Sequence, residues 1–401
     1  MSNKRILQLG GGLLQTHSVQ QWMKAGYEVH IADKNPNAPA FKIAHKQAVI
    51  DIIDTDAIVE YAKKNSIHLI LAINDGGVIA AADASEKLGL KNLSKLTARM
   101  ATDKGLMREA WRKNKLSQPS FAVVDSADKL KEAIKNIGFP CIVKPCLNWG
   151  SRGVASIMKQ EDIGFAIDYC SSNDRNGRNI VEQYINGTEM TYEGLAQNGK
   201  IQILSRSDKV HQKHDRFKVA MQLNYPPALP QKWIDLADKL VINAATALGI
   251  TDGAIHCELM VNENSAYLVE MAARPGGGHI FGKIVEAQSG VPMPLALAKI
   301  FLNEPIDIFP KFQKGVCYHF FSPPKGIFQS IEGIEKAKKT NGVIDIGFSL
   351  KSGTKVGDIA GDADRPGYIV TQGKTRDEAM HIAENTVRSL TFKMLDKAND
   401  N

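Results

Sequence analysis

The stretch Ala254 to Ile280, AIHCELMVNENSAYLVEMAARPGGGHI, limits what this chain can fold into more than any other. It reads as two strands joined by a polar turn and followed by a glycine run. Side chains alternate along a strand, so His256 and Glu258 share one face while Ile255, Cys257 and Leu259 take the other. On the second strand Glu270, Ala272 and Arg274 share a face. A turn of Glu263, Asn264 and Ser265 sets Glu258 opposite Glu270, with Cβ atoms roughly 5 Å apart. Carboxylates so placed on apolar strands repel unless a cation lies between them. Mg²⁺ suits that position, because it takes oxygen ligands and completes its shell with water and phosphate oxygens. Arg274 would serve a second anion. A four-residue turn instead pairs Glu258 with Val269 and turns Glu270 away, which leaves a solvated hairpin with two unrelated glutamates.

The rest of the chain has to supply the context. Its 401 residues suffice for two or three domains with separate cores. The net charge of +7 comes without a basic block, which suits anionic small substrates and gives no argument for nucleic acid. Five scattered cysteines without a CxxC pair fit a reducing cytoplasm and argue against a cysteine metal site. The opening MSNKRILQLGGG lacks the apolar core and cleavage-like region of a signal peptide, and no run of 18 apolar residues suggests a membrane span.

Residues 4–100 alternate strand and helix, the pattern of a parallel βαβ unit. Gly10, Gly11 and Gly12 follow the first strand and Asp33 ends the second, which invites a dinucleotide-binding reading. The third glycine of that motif, which allows close helix–strand packing, would fall at Gln15. A tight strand-to-helix turn accounts for the glycines equally well. Residues 96–140 read as mostly helical, with Ser126 capping a helix that Gly138 ends. Phe139 to Pro145 reads as a buried strand carrying Lys144, and a small-residue loop follows. Two strands, NIVEQYI and MTYEGLA, are split by Asn186-Gly187. The segment 206–227 is polar and reads as a mobile loop. Pro230 opens a helix through Leu248, residues 313–374 are strand-rich, and Thr375 with Glu378 forms a capping box.

Several residues then acquire meaning. A lysine inside so apolar a strand as that of Lys144 either snorkels to an edge or meets an anion. Gly150, Ser151 and Gly153 allow backbone N–H groups to approach phosphate oxygens. Glu182 and Glu189 flank a turn whose backbone can bond an adenine, and a carboxylate can accept from ribose hydroxyls.

The order of these features resembles the ATP-grasp superfamily over nearly the whole chain. The series is Asp103-Lys104, Lys144, the glycine and serine loop, Glu182, Glu189, then the Glu258/Glu270 hairpin with Arg274. It looks most like the carboxylate–amine ligase branch that includes L-amino-acid ligases, and is similar to biotin carboxylase and phosphoribosylglycinamide synthetase. The resemblance implies an α/β and α+β ATP-grasp fold in three parts. These are a Rossmann-like pre-ATP-grasp domain at 1–95, an ATP-grasp domain at 96–305 with a small nucleotide lobe at about 118–190, and a strand-rich lobe at 306–401 that completes the module.

It also implies roles. Lys104 and Lys144 match lysines that hold ATP phosphates, and Lys209 is a further phosphate contact. Trp149 to Gly153, with Gly150 and Ser151, match a loop closing over the γ-phosphate. Glu182 and Ile185 match the adenine-binding linker, and Glu189 matches the ribose-binding acid. Glu258 and Glu270 match ligands of Mg²⁺ or Mn²⁺. Arg274 matches the arginine that steadies an acyl phosphate or a substrate carboxylate. His256, Gly277 and His279 follow the amino-acid ligase branch as substrate contacts. Ala272 departs from the pattern, since many members carry asparagine there, and one metal ion thereby lacks a protein ligand. The implied activity is ATP-dependent amide or peptide bond formation through an acyl phosphate, with an amino acid as a substrate. The implied partners are small-molecule carboxylates and amines, without nucleic acid or membrane, and a homodimer is compatible. The alternatives are an ATP-grasp ligase of purine or cell-surface-sugar metabolism and a dinucleotide-dependent oxidoreductase. Biotin carboxylase activity would need a biotin-carrier partner, which nothing in the sequence suggests.

Overall fold

The computed structural model describes residues 4–148, 150, 152–174, 176–212 and 218–395. Four short strands form the first sheet: β1 (Arg5–Leu9), β2 (Glu28–Ala32), β3 (Lys46–Ala48) and β4 (Leu69–Ala72), all parallel, in the order β3-β2-β1-β4. The mostly apolar β1, β2 and β4 are buried, and the helices Thr16–Lys24, Thr55–Lys64 and Asp75–Leu88 pack around them, while Lys46 and Gln47 leave the edge strand β3 exposed. The strand order reverses at β1, which opens a crevice between the carboxyl ends of β1 and β4. The Gly10–Gly12 loop and Asn74-Asp75 stand there, tied by a 2.7 Å bond from Asn74 Nδ2 to the Leu9 carbonyl. Asp33 spends its carboxylate locally, accepting from the amides of Gly11 (2.7 Å) and Asn35 (2.8 Å). The glycines therefore serve a tight turn.

The second sheet is antiparallel: β5 (Phe121–Val124), β6 (Cys141–Pro145), β7 (Ala155–Ile157) and β8 (Asn179–Gln183), in the order β5-β8-β6-β7. Helices Ala127–Ile137 and Ile163–Ser172 pack Leu130, Ile134, Ala166 and Cys170 against Val143 and Val181. Ser126 caps the first helix, accepting from Lys129 N, as expected. The expected strand from Phe139 starts later, at Cys141, since Pro140 has no N–H to give to a ladder. The helical reading of 96–140 missed β5, whose four residues are too few to show a period.

The central sheet is built from β9 (Thr188–Gln197), β10 (Lys200–His211), β11 (Ala220–Tyr225), β12 (Gly253–Val261), β13 (Ala266–Ala272) and three strands of the C-terminal region. That region contributes β14 (Gly315–Phe320), β15 (Gly326–Glu332), β16 (Val343–Phe348), β17 (Lys355–Val356), β18 (Gly367–Gly373) and β19 (Thr391–Leu395). The eight strands run β13-β12-β9-β10-β11-β14-β18-β16, while β17-β15-β19 form a separate small sheet. Helix Gln231–Ala247 covers one face of the hairpin through Ala237, Val241 and Ala244.

Two expectations need correction here. Residues 206–212 and 218–227 are largely ordered strand, in β10 and β11; residues 213–217, with His214, lie outside the described residues. The polarity that suggests a loop belongs largely to groups buried within these strands. Asp208, for example, accepts from Ala228 N at 2.8 Å and pairs with Arg376 at 2.9 Å. The hairpin turn has four residues, not three: Asn262 N bonds Ser265 O at 3.0 Å, and Leu259 pairs with Leu268. Glu258 nevertheless faces Glu270, because the register slips between Glu258 and Leu259 and leaves Val269 as the extra residue of a β-bulge. A bulge restores the parity that the turn length alone would have reversed.

Candidate active site

A cavity of about 450 Å³ lies where the three large sheets meet. The first sheet sends Gln15, Asn74 and Asp75 to its wall, and the second sends Lys144, Glu182 and Ile185. The central sheet sends Glu189, His256, Glu258, Glu270 and Ala272, and the loop after β13 adds Arg274 and Gly276 to Gly278. Lys104, at the start of the Asp103-capped helix Lys104–Lys113, and Gly150 also line it.

Every carboxylate on this wall is matched by a cation. Lys104 Nζ lies 3.1 Å from Glu270 and donates to the Asn148 carbonyl at 2.6 Å. Lys144 pairs with Glu182 at 2.8 Å, and Arg108 holds the other Glu182 oxygen at 2.6 Å. All three side chains are nearly inaccessible. Burial opposes the charge on Glu182, yet Arg108 and Lys144 hold it below the usual carboxylate range. Burial pulls Lys144 below its ordinary value despite Glu182, with Arg108 and Lys104 adding to the pull. Both Glu182 oxygens are thus engaged, one by Arg108 and the other by Lys144.

Across the sheet, Lys209 Nζ stands 2.6 Å from both Glu189 and Glu258. His211 reaches Glu189 at 3.0 Å. Burial would raise the Glu189 carboxyl, but Lys209 and His211 bring it down to about 2. His256 bonds Glu193 directly opposite on β9 and lies 3.6 Å from Glu258. Burial opposes the imidazolium, and the two carboxylates push it up to about 9, so His256 is a cation at neutral pH. Glu193 also accepts from Gly276 N at 3.0 Å, which anchors the glycine run. A Cβ at Gly276 would run into Glu193 and His256.

Arg274 points to a partner that sequence reading did not assign. It forms a two-pronged pair with Asp75, at 2.7 and 2.6 Å, from the end of β4. Gly153 packs against Pro145 and Asn173, and His279 stacks on Tyr368 at 4.1 Å; neither lines the cavity. Trp149 and Ser151 lie outside the described residues. Arg108, Asp75 and Glu193 were missed. Each had a signal: Arg108 is one turn after Lys104, Asp75 opens the helix that follows a parallel strand at a switch point, and Glu193 shares parity with Glu189.

Among the described residues no cluster of three or more His, Cys, Asp or Glu could cage a metal ion. The Glu258/Glu270 pair offers carboxylate oxygens only, which fits a hard cation that brings phosphate oxygens and water to complete its shell. No helix among the described residues is long and apolar enough to cross a membrane.

Comparison with known proteins agrees with this architecture. Residues 137–283 match the ATP-grasp domain family, 6–92 match the PylC-like N-terminal domain, and 319–394 match the L-amino acid ligase C-terminal domain 2. The chain is 27% identical over 291 residues to a formate-dependent phosphoribosylglycinamide formyltransferase of Aliivibrio fischeri, covering 68% of this chain and 70% of that one. The fold is similar to that of an L-amino acid ligase from Bacillus licheniformis, with a TM-score of 0.85 at 20% identity over 99% of this chain and all of the other. It is also similar to a phosphoribosylglycinamide synthetase from Anaerococcus prevotii, with a TM-score of 0.78 at 20% identity over 98% and 100% of the two chains.

Proposed function

Since the chain belongs to the ATP-grasp carboxylate–amine ligases, we propose that it joins an amino acid to an amine through an acyl phosphate, at the expense of ATP. The observation that carries this reading is Glu258 facing Glu270 in a cavity also walled by Lys104 and Lys144. Two acids and two lysines around one cavity match the charge pattern of a triphosphate with its metal ion.

In the first step an oxygen of the substrate carboxylate attacks the γ-phosphorus of ATP. The bond to the β-phosphate oxygen breaks and ADP leaves. In the second step the amine attacks the acyl carbon, inorganic phosphate departs, and the nitrogen loses its proton. Bound Mg²⁺ or Mn²⁺ supplies neutralisation of phosphate charge. Lys104 and Lys144 hold the phosphates, and the amides of the loop through Gly150, Ser151 and Gly153 close over them. The backbone near Ile185 receives the adenine and Glu189 the ribose. Glu182 holds Lys144 in place. Arg274 grips the developing acyl phosphate, in a site preorganised before substrate arrives. Gly277 lines the acceptor end, and His256 and Glu193 fix that loop. A closed cavity keeps water from the acyl phosphate.

The L-amino acid ligase match at 319–394 favours an amino acid as a substrate. The identity with a formate-dependent phosphoribosylglycinamide formyltransferase favours a purine-type substrate as the second reading. Mass spectra of products formed from ATP and Mg²⁺ with an amino-acid mixture, and separately with formate and phosphoribosylglycinamide, decide between them. An amide product with stoichiometric ADP from the first mixture supports the first; ADP formed only with formate and phosphoribosylglycinamide supports the second.

A further inference from the structure

Resting on the ligase reading above, we infer that Asp362 takes the α-ammonium of the amino acid whose carboxylate is phosphorylated, and so selects a free amino acid over a plain carboxylic acid.

The loop between β17 and β18, residues 357–366, brings Ala360 and Asp362 to the cavity wall. A single turn, Asp362–Asp364, shapes it. The Asp364 carboxylate accepts from the amides of Ala360 and Gly361, at 3.0 and 2.9 Å. Arg365 folds back. It donates to the Asp362 carbonyl at 3.1 Å and to the Ala220 carbonyl of β11 at 3.0 Å, and its guanidinium lies 3.6 Å from the centre of the Phe320 ring. Gln212, just past β10, donates to the Ile359 carbonyl at 2.6 Å. The backbone around Asp362 is thus fixed to the central sheet before substrate arrives, which leaves little ordering to be done on binding. The same anchor leads to the glycine run. The Phe320 and Tyr318 ring centres are 4.3 Å apart, and a Cβ on Gly278 would meet the Tyr318 hydroxyl at 2.9 Å. Arg365, Phe320 and Tyr318 therefore link the Asp362 turn to the loop that carries Arg274.

Elimination then singles out Asp362. Six of the described acids line the cavity. Asp75 has both oxygens on Arg274, Glu182 has one on Arg108 and one on Lys144, and Glu189 has one on Lys209 and one on His211. Glu258 and Glu270 face each other at the position given to the metal ion. The sixth, Asp362, meets Arg365 only through Oδ1, at 3.3 Å, and that arginine nitrogen is the one already bonded to Ala220. Among the described residues its Oδ2 has no partner, and its side chain is 45% exposed against 15% for Asp75. A free amino acid arrives as a zwitterion. Its carboxylate is consumed in the first step, but its ammonium stays charged and needs an anion inside the cavity. The attacking amine does not compete for that anion, because it must be neutral to use its lone pair.

The test starts from a panel of the standard amino acids, each with ATP, Mg²⁺ and hydroxylamine as a small amine, read as ADP formed by the full chain. The best of them is then compared with its des-amino analogue, used as substrate or inhibitor, in the unaltered chain, Asp362→Asn and Asp362→Glu. Asp362→Asn is expected to raise KM for the amino acid roughly ten- to a hundredfold, the loss of one charge-assisted bond, while KM for ATP and the constant for the analogue stay unchanged. Asp362→Glu, which keeps the charge, is expected to recover most of the loss. An unchanged KM for the amino acid in Asp362→Asn overturns the inference. An equal loss for the analogue, or no recovery in Asp362→Glu, also overturns it, since either marks a merely structural role. ADP from no amino acid of the panel overturns the amino-acid reading itself, so the two failures are distinguishable.

Discussion

The two ends of the cavity are made differently. At the end proposed for the nucleotide, charges stand on β6, β8, β9, β10, β12, β13 and one helix start, and each has a fixed partner: Lys144 with Glu182, Lys104 with Glu270, Lys209 with Glu189 and Glu258. At the end proposed for the acceptor the wall is a glycine run held by Glu193, with Gln15 and Asp75 delivered by distant parts of the chain. Regular strands hold charges at fixed spacings, which suits a constant ligand such as a triphosphate. Loops from several regions can vary independently, which suits the part of a reaction that differs between relatives.

Glu270→Gln should produce the largest effect and break the nucleotide end outright. ADP formation measured by coupled assay is expected to fall below detection with every substrate pair. Near-normal turnover would remove the metal role from the hairpin. Lys144→Met should follow, lowering kcat by roughly 10²- to 10³-fold, the range typical of losing one preorganised charge-stabilising donor. Asp75→Asn sharpens the contrast. It loosens Arg274 at the acceptor end and is expected to raise KM for an organic substrate about tenfold, the factor that corresponds to ~1.4 kcal/mol, while KM for ATP stays unchanged. Equal changes in both constants would mean that the two ends are not separable.

The smallest effect concerns stability. Burial lowers His279 from 6.5 to about 4, against the pull of Asp345, so it is neutral in the folded chain. The unfolded chain binds the extra proton between those values. Its contribution to stability is therefore complete above about 6.5 and is lost as pH falls toward 4. His279→Gln should flatten the fall of urea stability across that window and leave ATP binding untouched.

The same contrast explains what the sequence made legible. Lys144, Glu182, Glu189, Glu258 and Glu270 stand out because charges on apolar strands are conspicuous, and their strands carry a period of two. The Glu258–Glu270 pairing could be anticipated but its cause could not, because a bulge at Val269 has no side-chain signature. The strands β10 and β11 were hidden because their buried Ser207, Asp208, Gln222 and Asn224 read as loop polarity. Asp75 and Arg274 lie 199 residues apart, and no local pattern joins them. Three strands of the first sheet were transparent, since short apolar runs separated by helices have few other ways to pack, but β3, Lys46–Ala48, has no apolar run to mark it and was missed.

Isotope transfer during turnover tests the central claim most directly. The chain would be incubated with ATP, Mg²⁺ and an amino-acid mixture labelled with ¹⁸O in the carboxyl groups, and the phosphate and amide would be analysed by mass spectrometry. Acyl-phosphate chemistry predicts one ¹⁸O in each phosphate released and the other in the amide carbonyl. Amide formed with unlabelled phosphate, or ADP released with no amide, would contradict it.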